Sequence, residues 1–212
     1  MNKFILWIIL SLFTILSAYA QLRFDPEKDL FFEIIDDGRA VKIIRCAGTN
    51  AEVRIPPRIQ NLPVTTIGNG ALARSHLIGV TIGNSVTHIG DFAFGGNQLT
   101  SVTIPNSVTH IGDTAFLDNQ LTSVIIPNSV MYIGRSAFRE NQLTSITIGD
   151  NVNIEIAAFR DNLLASITIG ANVVLHEEYI VFDRELDDFL RDNKVRAGTY
   201  TFNNGSWSFS FN

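Results

Sequence analysis

The sequence predicts a β-rich solenoid of about five coils, each close to 22 residues long. Residues 99–120 and 121–142 are near-copies, with the same residue at 15 of 22 positions. In each copy apolar residues alternate with hydroxyl residues, as in Val102-Thr103-Ile104, which is typical of a strand with one buried face. A single coil cannot bury that face, but stacked coils can.

The same frame continues on both sides of the two copies, and residues 63–182 form the repeat region. A Leu-x-x-Val-x-Ile pattern, with Ile in place of Val in the last two copies, begins at Leu77, Leu99, Leu121, Leu143 and Leu164. In the coil that starts at Leu99, Pro105 ends the first strand, where its missing N–H is expected to do no harm. Residues 108–111 predict a second short strand, and residues 113–116 predict one helical or 3₁₀ turn.

Both ends of the stack need a cap, because open ends would expose sheet edges and core. Residues 21–62 form the predicted N-terminal cap, in which Asp37-Gly38 joins strands near 30–35 and 40–46 into a hairpin. Residues 183–212 form the predicted C-terminal cap, with a helix over 183–193 that Asp183 begins, then a hairpin that turns at residues 203–206.

Residues 1–20 have the pattern of a secretory signal peptide. Lys3 precedes an apolar run over residues 4–16, and Ala18 and Ala20 fit a cleavage site. The run is shorter than the roughly 20 apolar residues that span a bilayer, so we expect no membrane span after cleavage. The sequence predicts an exported protein, secreted or on the cell surface, with the periplasm also possible.

Charge and motifs argue against several function classes. The chain carries 16 Lys and Arg against 21 Asp and Glu without a basic patch, which argues against nucleic acid as a partner. No catalytic, phosphate-binding or cofactor motif occurs, so we expect no enzyme activity and no cofactor. His88 and His110 occupy equivalent positions, but two histidines are too few for a closed zinc site.

The best candidate for a binding site is a surface of outward-facing hydroxyl side chains on the repeated strands. Extended faces of this kind are where solenoids commonly bind, although Thr and Ser are also ordinary solvent-facing strand residues. The candidate residues are Thr81, Thr100, Ser101, Thr103, Thr122, Ser123, Ile125, Thr144, Ser145, Thr147 and Thr168.

A recurring asparagine is a second feature of the frame. Asn97, Asn119, Asn141 and Asn162 occupy one position in successive coils. We interpret them as structural side chains that bond the backbone at a tight corner, in preference to a row of ligand-binding amides.

The frame from Leu99 to Phe116 resembles the BspA-type leucine-rich repeat of bacterial surface proteins, whose pattern is L-x-x-[VI]-x-I-P-x-x-V-x-x-I-G-x-x-A-F. It departs from that pattern where Gly83, Gly149 and Gly170 replace Pro, and where the fifth coil drifts after Val173. The resemblance implies a leucine-rich repeat fold and an exported protein that binds host or matrix proteins, or other bacteria. A glycan-binding module and a structural envelope protein remain as alternatives, and the oligomeric state is left open.

Overall fold

The computed structural model describes residues 29–47, 51–175, 181–182, 184–193, 195–203 and 206–211. The predicted signal peptide, the helix-starting Asp183 and the turn residues 204–205 lie outside these ranges. The described chain forms a β-solenoid of stacked coils with parallel strands, so the predicted fold class is confirmed.

Short strands make up most of the regular structure, with one helix near the C-terminus. The elements are β1 Leu30–Ile35, β2 Ala40–Cys46, β3 Glu52–Arg54, β4 Arg58–Ile59, β5 Leu62–Ile67, β6 Gly79–Thr81, β7 His88–Ile89, β8 His110–Ile111, β9 Ser123–Ile126, β10 Tyr132–Ile133, β11 Ser145–Ile148, β12 Asn153–Ile154, β13 Ser166–Ile169, β14 Val174–Leu175, α1 Arg184–Asn193, β15 Gly198–Asn203 and β16 Ser206–Ser210.

Two sheets form two sides of the stack. The long sheet has the order β1-β2-β5-β7-β8-β10-β12-β14, with β4 paired to β5. The short sheet has the order β16-β15-β13-β11-β9. Strands from successive coils pair in parallel and in register, because the repeat returns the same residue to the same place in each turn.

The third side of each coil differs from the expected helical turn. Thr114 has a φ of 53°, and its N–H donates to the carbonyl of Arg135 in the next coil. Phe116 likewise donates to the carbonyl of Ala137. Ala115 and Leu117 donate within the coil, to the carbonyls of Gly112 and Thr114. Residues 113–116 therefore form hydrogen-bonded turns whose alternate N–H groups join the next coil, and the prediction of a helical or 3₁₀ turn was wrong.

A column of aromatic rings runs through the core. The rings of Phe94, Phe116, Phe138, Phe159 and Phe182 stack with centroids 5.1–5.5 Å apart, and all five side chains are buried. Leu72, also buried, holds the equivalent place in the first coil. The column therefore indicates six coils, one more than the five expected. Phe182 occupies the same core position as the other phenylalanines, although the sequence before it no longer follows the repeat pattern.

The two predicted caps cover different sheets. Strands β1 and β2 form an antiparallel hairpin, and β2 pairs in parallel with β5 to begin the long sheet. At the other end, β15 pairs antiparallel with β13, and β16 with β15, to extend the short sheet. Helix α1 buries Leu186 and Leu190 against the core, and its Phe189 meets the edge of Tyr200. Both predicted hairpins and the helix are confirmed.

Candidate binding surface

The short sheet aligns most of the predicted hydroxyl residues. Ser123 pairs with Ser145, and Ser145 with Ser166; one step along the strands, Ile125 pairs with Thr147, and Thr147 with Thr168. Apolar residues at the alternate positions, such as Val124 and Ile146, are buried. Neighbouring strands lie about 4.8 Å apart, so the side chains form two regular columns.

These columns face outward and carry no charge. Ser123, Ser145 and Thr147 are exposed, Thr168 is half-buried, and Ile125 has 68% of its surface exposed. None of the five strands of this sheet contains a charged residue. The strands of this surface can therefore donate and accept hydrogen bonds but present no side-chain charge.

A third column lies just before the strands. Thr100, Thr122 and Thr144 are all exposed. The N–H of Thr144 donates to the carbonyl of Thr122 at 2.9 Å, and the Thr144 hydroxyl donates to the same carbonyl at 3.3 Å. One hydroxyl of this column is thus already engaged with the backbone of the neighbouring coil.

The first part of the predicted surface does not join this sheet. Thr81 belongs to β6, which pairs with β3. Ser101 and Thr103 are exposed but lie in a segment that is not a strand, and the sheet begins one coil later, at β9. The strand expected around Val102-Thr103-Ile104 is therefore absent, and the hydroxyl columns are interrupted there.

Two prolines account for the interruption. Gly149 donates its N–H to the carbonyl of Ile126 at 2.9 Å, and Gly170 donates to the carbonyl of Ile148 at 2.9 Å. Pro105 and Pro127 hold the equivalent positions and have no N–H to donate. The equivalent hydrogen bonds, which would join residues 101–104 to the coils before and after them, cannot form. Contrary to expectation, the missing N–H of proline therefore prevents this segment from pairing as a strand.

The glycines also allow a closer approach of the coils. A Cβ atom on Gly149 would lie 2.5 Å from the side-chain oxygen of Asn128, and one on Gly170 would lie 2.6 Å from that of Asp150. A proline ring does not fit at that separation. Glycine at these positions thus permits both the hydrogen bond and the contact that continue the short sheet.

The C-terminal hairpin extends the hydroxyl surface, which the sequence analysis missed. Thr199 pairs with Thr168 and Thr201 with Ser166, and the hydroxyl oxygens of Thr168 and Thr199 are 3.1 Å apart. Ser210 and Ser208 continue the two columns on β16. The signal was available, because hydroxyl residues occupy alternate positions in both β15 and β16. We call the set Ser123, Ile125, Ser145, Thr147, Ser166, Thr168, Thr199, Thr201, Ser208 and Ser210 the hydroxyl face.

The recurring asparagines are structural, as predicted. The Asn119 side-chain oxygen accepts the N–H of Leu99 at 3.1 Å, and its amide donates to the carbonyl of Phe94 at 3.0 Å. Asn97 and Asn141 bond the preceding coil in the same way and are nearly fully buried. Their amides satisfy buried backbone groups and are not available to a ligand.

The two equivalent histidines lie on the long sheet, away from the hydroxyl face. The rings of His88 and His110 stack with centroids 4.7 Å apart, and His110 is followed by the tilted ring of Tyr132. They line a shallow groove of about 360 Å³ that also includes Lys42 and Asp91. Partial burial, and then the charge of His110, lower the pKa of His88, which favours its neutral form.

Each histidine is hydrogen-bonded to the threonine that precedes it. The hydroxyls of Thr87 and Thr109 lie 2.8 and 2.9 Å from His88 Nδ1 and His110 Nδ1, and each also lies 3.1 Å from a backbone carbonyl of the preceding coil. Among the described residues, no group of three or more His, Cys, Asp or Glu side chains could hold a metal ion.

The fold and the repeat define a leucine-rich repeat solenoid. The sequence profile of the family described as "BspA type Leucine rich repeat region" matches residues 65–186 in six copies. The chain belongs to this family. BspA-type proteins are generally found on the cell surface or secreted, and leucine-rich repeat solenoids are typically protein-interaction modules.

One solved structure supports the fold, and two others are only similar chains. A leucine-rich repeat protein from T. pallidum is 22% identical, with a TM-score of 0.56, over 82% of this chain and 97% of that one. A Bacteroides ovatus leucine-rich repeat protein is 15% identical (TM-score 0.25; 74% and 77% covered), and one from Bacteroides capillosus 18% identical (TM-score 0.21; 70% and 94% covered). No curated protein matches the chain. In the described part of the chain, no helix has both the length and the apolar character of a membrane span.

Proposed function

We propose that this protein is exported and binds an extracellular protein through its hydroxyl face, without enzyme activity. The observation that carries the proposal is the register of that face: two columns of short hydroxyl side chains, held in line by a sheet whose strands contain no charged residue. The pattern of residues 1–20 supports export, and the family supports an interaction module.

The regular, uncharged polarity of the face favours a protein partner. Short hydroxyls lose little side-chain entropy when they are ordered and can pair with backbone and side-chain groups of either polarity. Ile125, exposed among them, offers an apolar contact near the first strand of the sheet. By analogy with the family, the partner is a host or matrix protein, or a protein on another bacterium.

A triple lysine variant tests the site. Ser123, Ser145 and Thr147 lie on adjacent strands and are exposed, so Ser123→Lys, Ser145→Lys and Thr147→Lys together introduce three charges without disturbing the core. Binding is measured on a panel of immobilised extracellular-matrix proteins and on a glycan array. We expect at least about a tenfold loss of protein binding, because like charges and desolvated lysines disrupt a neutral interface.

The matched control places three lysines on the side of the long sheet, at exposed Asn153 and Val174 in β12 and β14 and at exposed Met131, which directly precedes β10. Circular dichroism shows whether both variants keep the fold. Binding that the hydroxyl-face variant retains in full would refute the proposed site. Glycan binding without protein binding would favour the glycan-binding alternative.

Location separates a surface protein from a structural envelope protein. We expect protease added to intact cells to degrade the protein, whereas an internal marker of the periplasm should survive. Protection from the protease until the outer envelope is opened would favour the structural alternative.

A further inference from the structure

Strand β16 ends the short sheet, and its outer edge is unpaired in the part of the chain that the structure describes. The strand has the sequence Ser206-Trp207-Ser208-Phe209-Ser210 and pairs with β15 over its full length without a register shift. It has no charge, proline or bulge. Natural edge strands usually carry one of these to prevent pairing with another chain.

Both ends of the long sheet do carry such protection, and β9, at the other end of the short sheet, follows Gln120 and Thr122, whose N–H groups donate to the carbonyls of Leu99 and Thr100 in the preceding coil. Strand β1 has a register shift between Phe31 and Phe32, contains Glu33, and leads into Asp36 and Asp37. Strand β14, at the far end of the long sheet, is only two residues long. The contrast indicates that the open edge of β16 is a pairing surface.

The sequence of β16 is complementary to itself. In an antiparallel pair centred on Ser208, Ser206 faces Ser210 and Trp207 faces Phe209 of the other strand. Serine thus meets serine on the outer face, and aromatic meets aromatic on the inner face, which are favourable cross-strand pairs. The strand brings no charge that would repel its copy.

The surroundings of the strand fit a second copy as well. Trp207 is 8% exposed and Phe209 is half-buried, whereas Phe211, just beyond the strand, has 75% of its surface exposed. The Arg196 guanidinium lies 5.2 and 6.0 Å from the ring centroids of Phe209 and Phe211. These rings form an apolar border beneath the edge that a symmetric partner would cover.

We propose that two copies of this chain pair through β16, antiparallel, about a two-fold axis at Ser208. The two short sheets then become one sheet of ten strands, and the hydroxyl face continues across the axis. This goes beyond the proposed function, since it needs no ligand. One pair of five-residue strands is a small interface, so the dimer is weak and depends on concentration.

Single cysteines test the register of this pair. In a Cys46→Ala background, which removes the chain's only cysteine, Ser208→Cys places two thiols directly opposite each other. Opposed Cα atoms in an antiparallel pair are about 4.5–5.5 Å apart, within the range of a disulfide. We expect Ser208→Cys to form disulfide-linked dimers under mild oxidation.

The control is Ser145→Cys. Ser145 is exposed, as Ser208 is, but it lies on β11 in the middle of the same sheet. This variant should cross-link at least about tenfold more slowly, because it depends on chance encounters, without the high effective concentration of a paired strand. Ser206→Cys alone should also be slow, since its two copies would lie about 13 Å apart, but a mixture with Ser210→Cys should cross-link quickly.

Sedimentation provides a measurement that needs no cysteine. The parent protein should show a dimer fraction that rises with concentration, and Ser208→Lys should abolish it by placing two like charges opposite each other. Ser145→Lys should leave it unchanged. Equal cross-linking of Ser208→Cys and Ser145→Cys, or a parent protein that sediments only as a monomer, would overturn the proposal whatever the ligand assays show.

Discussion

Asn119 shows how one side chain can join two coils. It accepts a hydrogen bond from the N–H of Leu99 and donates to the carbonyl of Phe94, both in the preceding coil, while it also donates to the carbonyl of Phe116 in its own. It is only 6% exposed. Water cannot easily replace these bonds, so the amide is a fixed requirement of the corner.

We expect Asn119→Ala to lower the free energy of unfolding by about 2–4 kcal/mol, because it leaves a buried N–H and a carbonyl without a partner. Urea denaturation followed by circular dichroism measures the change. The neighbouring Gln120 is exposed, and Gln120→Ala should change the value by less than about 0.5 kcal/mol. An equally small effect at Asn119 would contradict the structural role.

At the scale of the element, the choice between glycine and proline decides where the short sheet begins. Gly149 and Gly170 donate the hydrogen bonds that continue it, and Pro105 and Pro127 cannot. Glycine and proline both follow the last residue of the strand, but only glycine has an N–H that can donate to the neighbouring coil.

We expect Pro127→Gly to add a hydrogen bond from the new N–H to the carbonyl of Ile104, as Gly149 does to Ile126. Residues 101–104 should then join β9 as a sixth strand of the short sheet. Hydrogen exchange measured by nuclear magnetic resonance should show slow exchange at residue 127. The amide of exposed Asn128 in the same variant is the comparison, and exchange at residue 127 as fast as there would refute the explanation.

The sequence predicted the structure best where a structure depends only on neighbouring residues. Asp37-Gly38 between two alternating runs correctly predicted the first hairpin, and the spacing of Leu186 and Leu190 correctly predicted the helix. The prediction failed at residues 113–116 and 101–104, where the outcome depends on bonds to the next coil. Those bonds come from residues about 22 positions away, such as Arg135 for Thr114, and no local pattern reports them.

The sequence likewise predicted the part of the candidate surface on the repeat strands but not the part on the C-terminal hairpin. Columns on β9, β11 and β13 follow directly from the repeat, because identical spacing places Ser123, Ser145 and Ser166 side by side. The part added by β15 and β16 required knowing that the C-terminal hairpin pairs with β13. A cap can be predicted from the need to cover an open end, but its partner strand is a property of the folded molecule.

The whole molecule behaves as a stack of equivalent parts. We expect a chain with a second copy of residues 99–120 inserted after Gln120 to fold with one additional coil, longer by about 4.8 Å. Each new coil finds the same contacts above and below. Because more surface is exposed on unfolding, the denaturant dependence of the unfolding free energy should increase.

The control for this insertion is half a unit, residues 99–109, at the same place. It puts the strands of one coil against the turns of the next and should destabilise the protein or prevent folding. Small-angle scattering measures the length of both variants. A full-unit variant that is no more stable than the half-unit variant would show that the coils are not interchangeable.

The asparagine corner also bears on the order in which the chain can fold during synthesis. In four coils, a leucine N–H donates to the side chain of an asparagine that lies 19 or 20 residues later in the sequence. The four leucines are Leu77, Leu99, Leu121 and Leu143. As the chain leaves the ribosome from its N-terminus, the newest coil always lacks its partner, and the one before it has just been completed. During synthesis the solenoid is therefore expected to form from the N-terminus, because the hydrogen bonds of each coil are completed only when the next coil has formed.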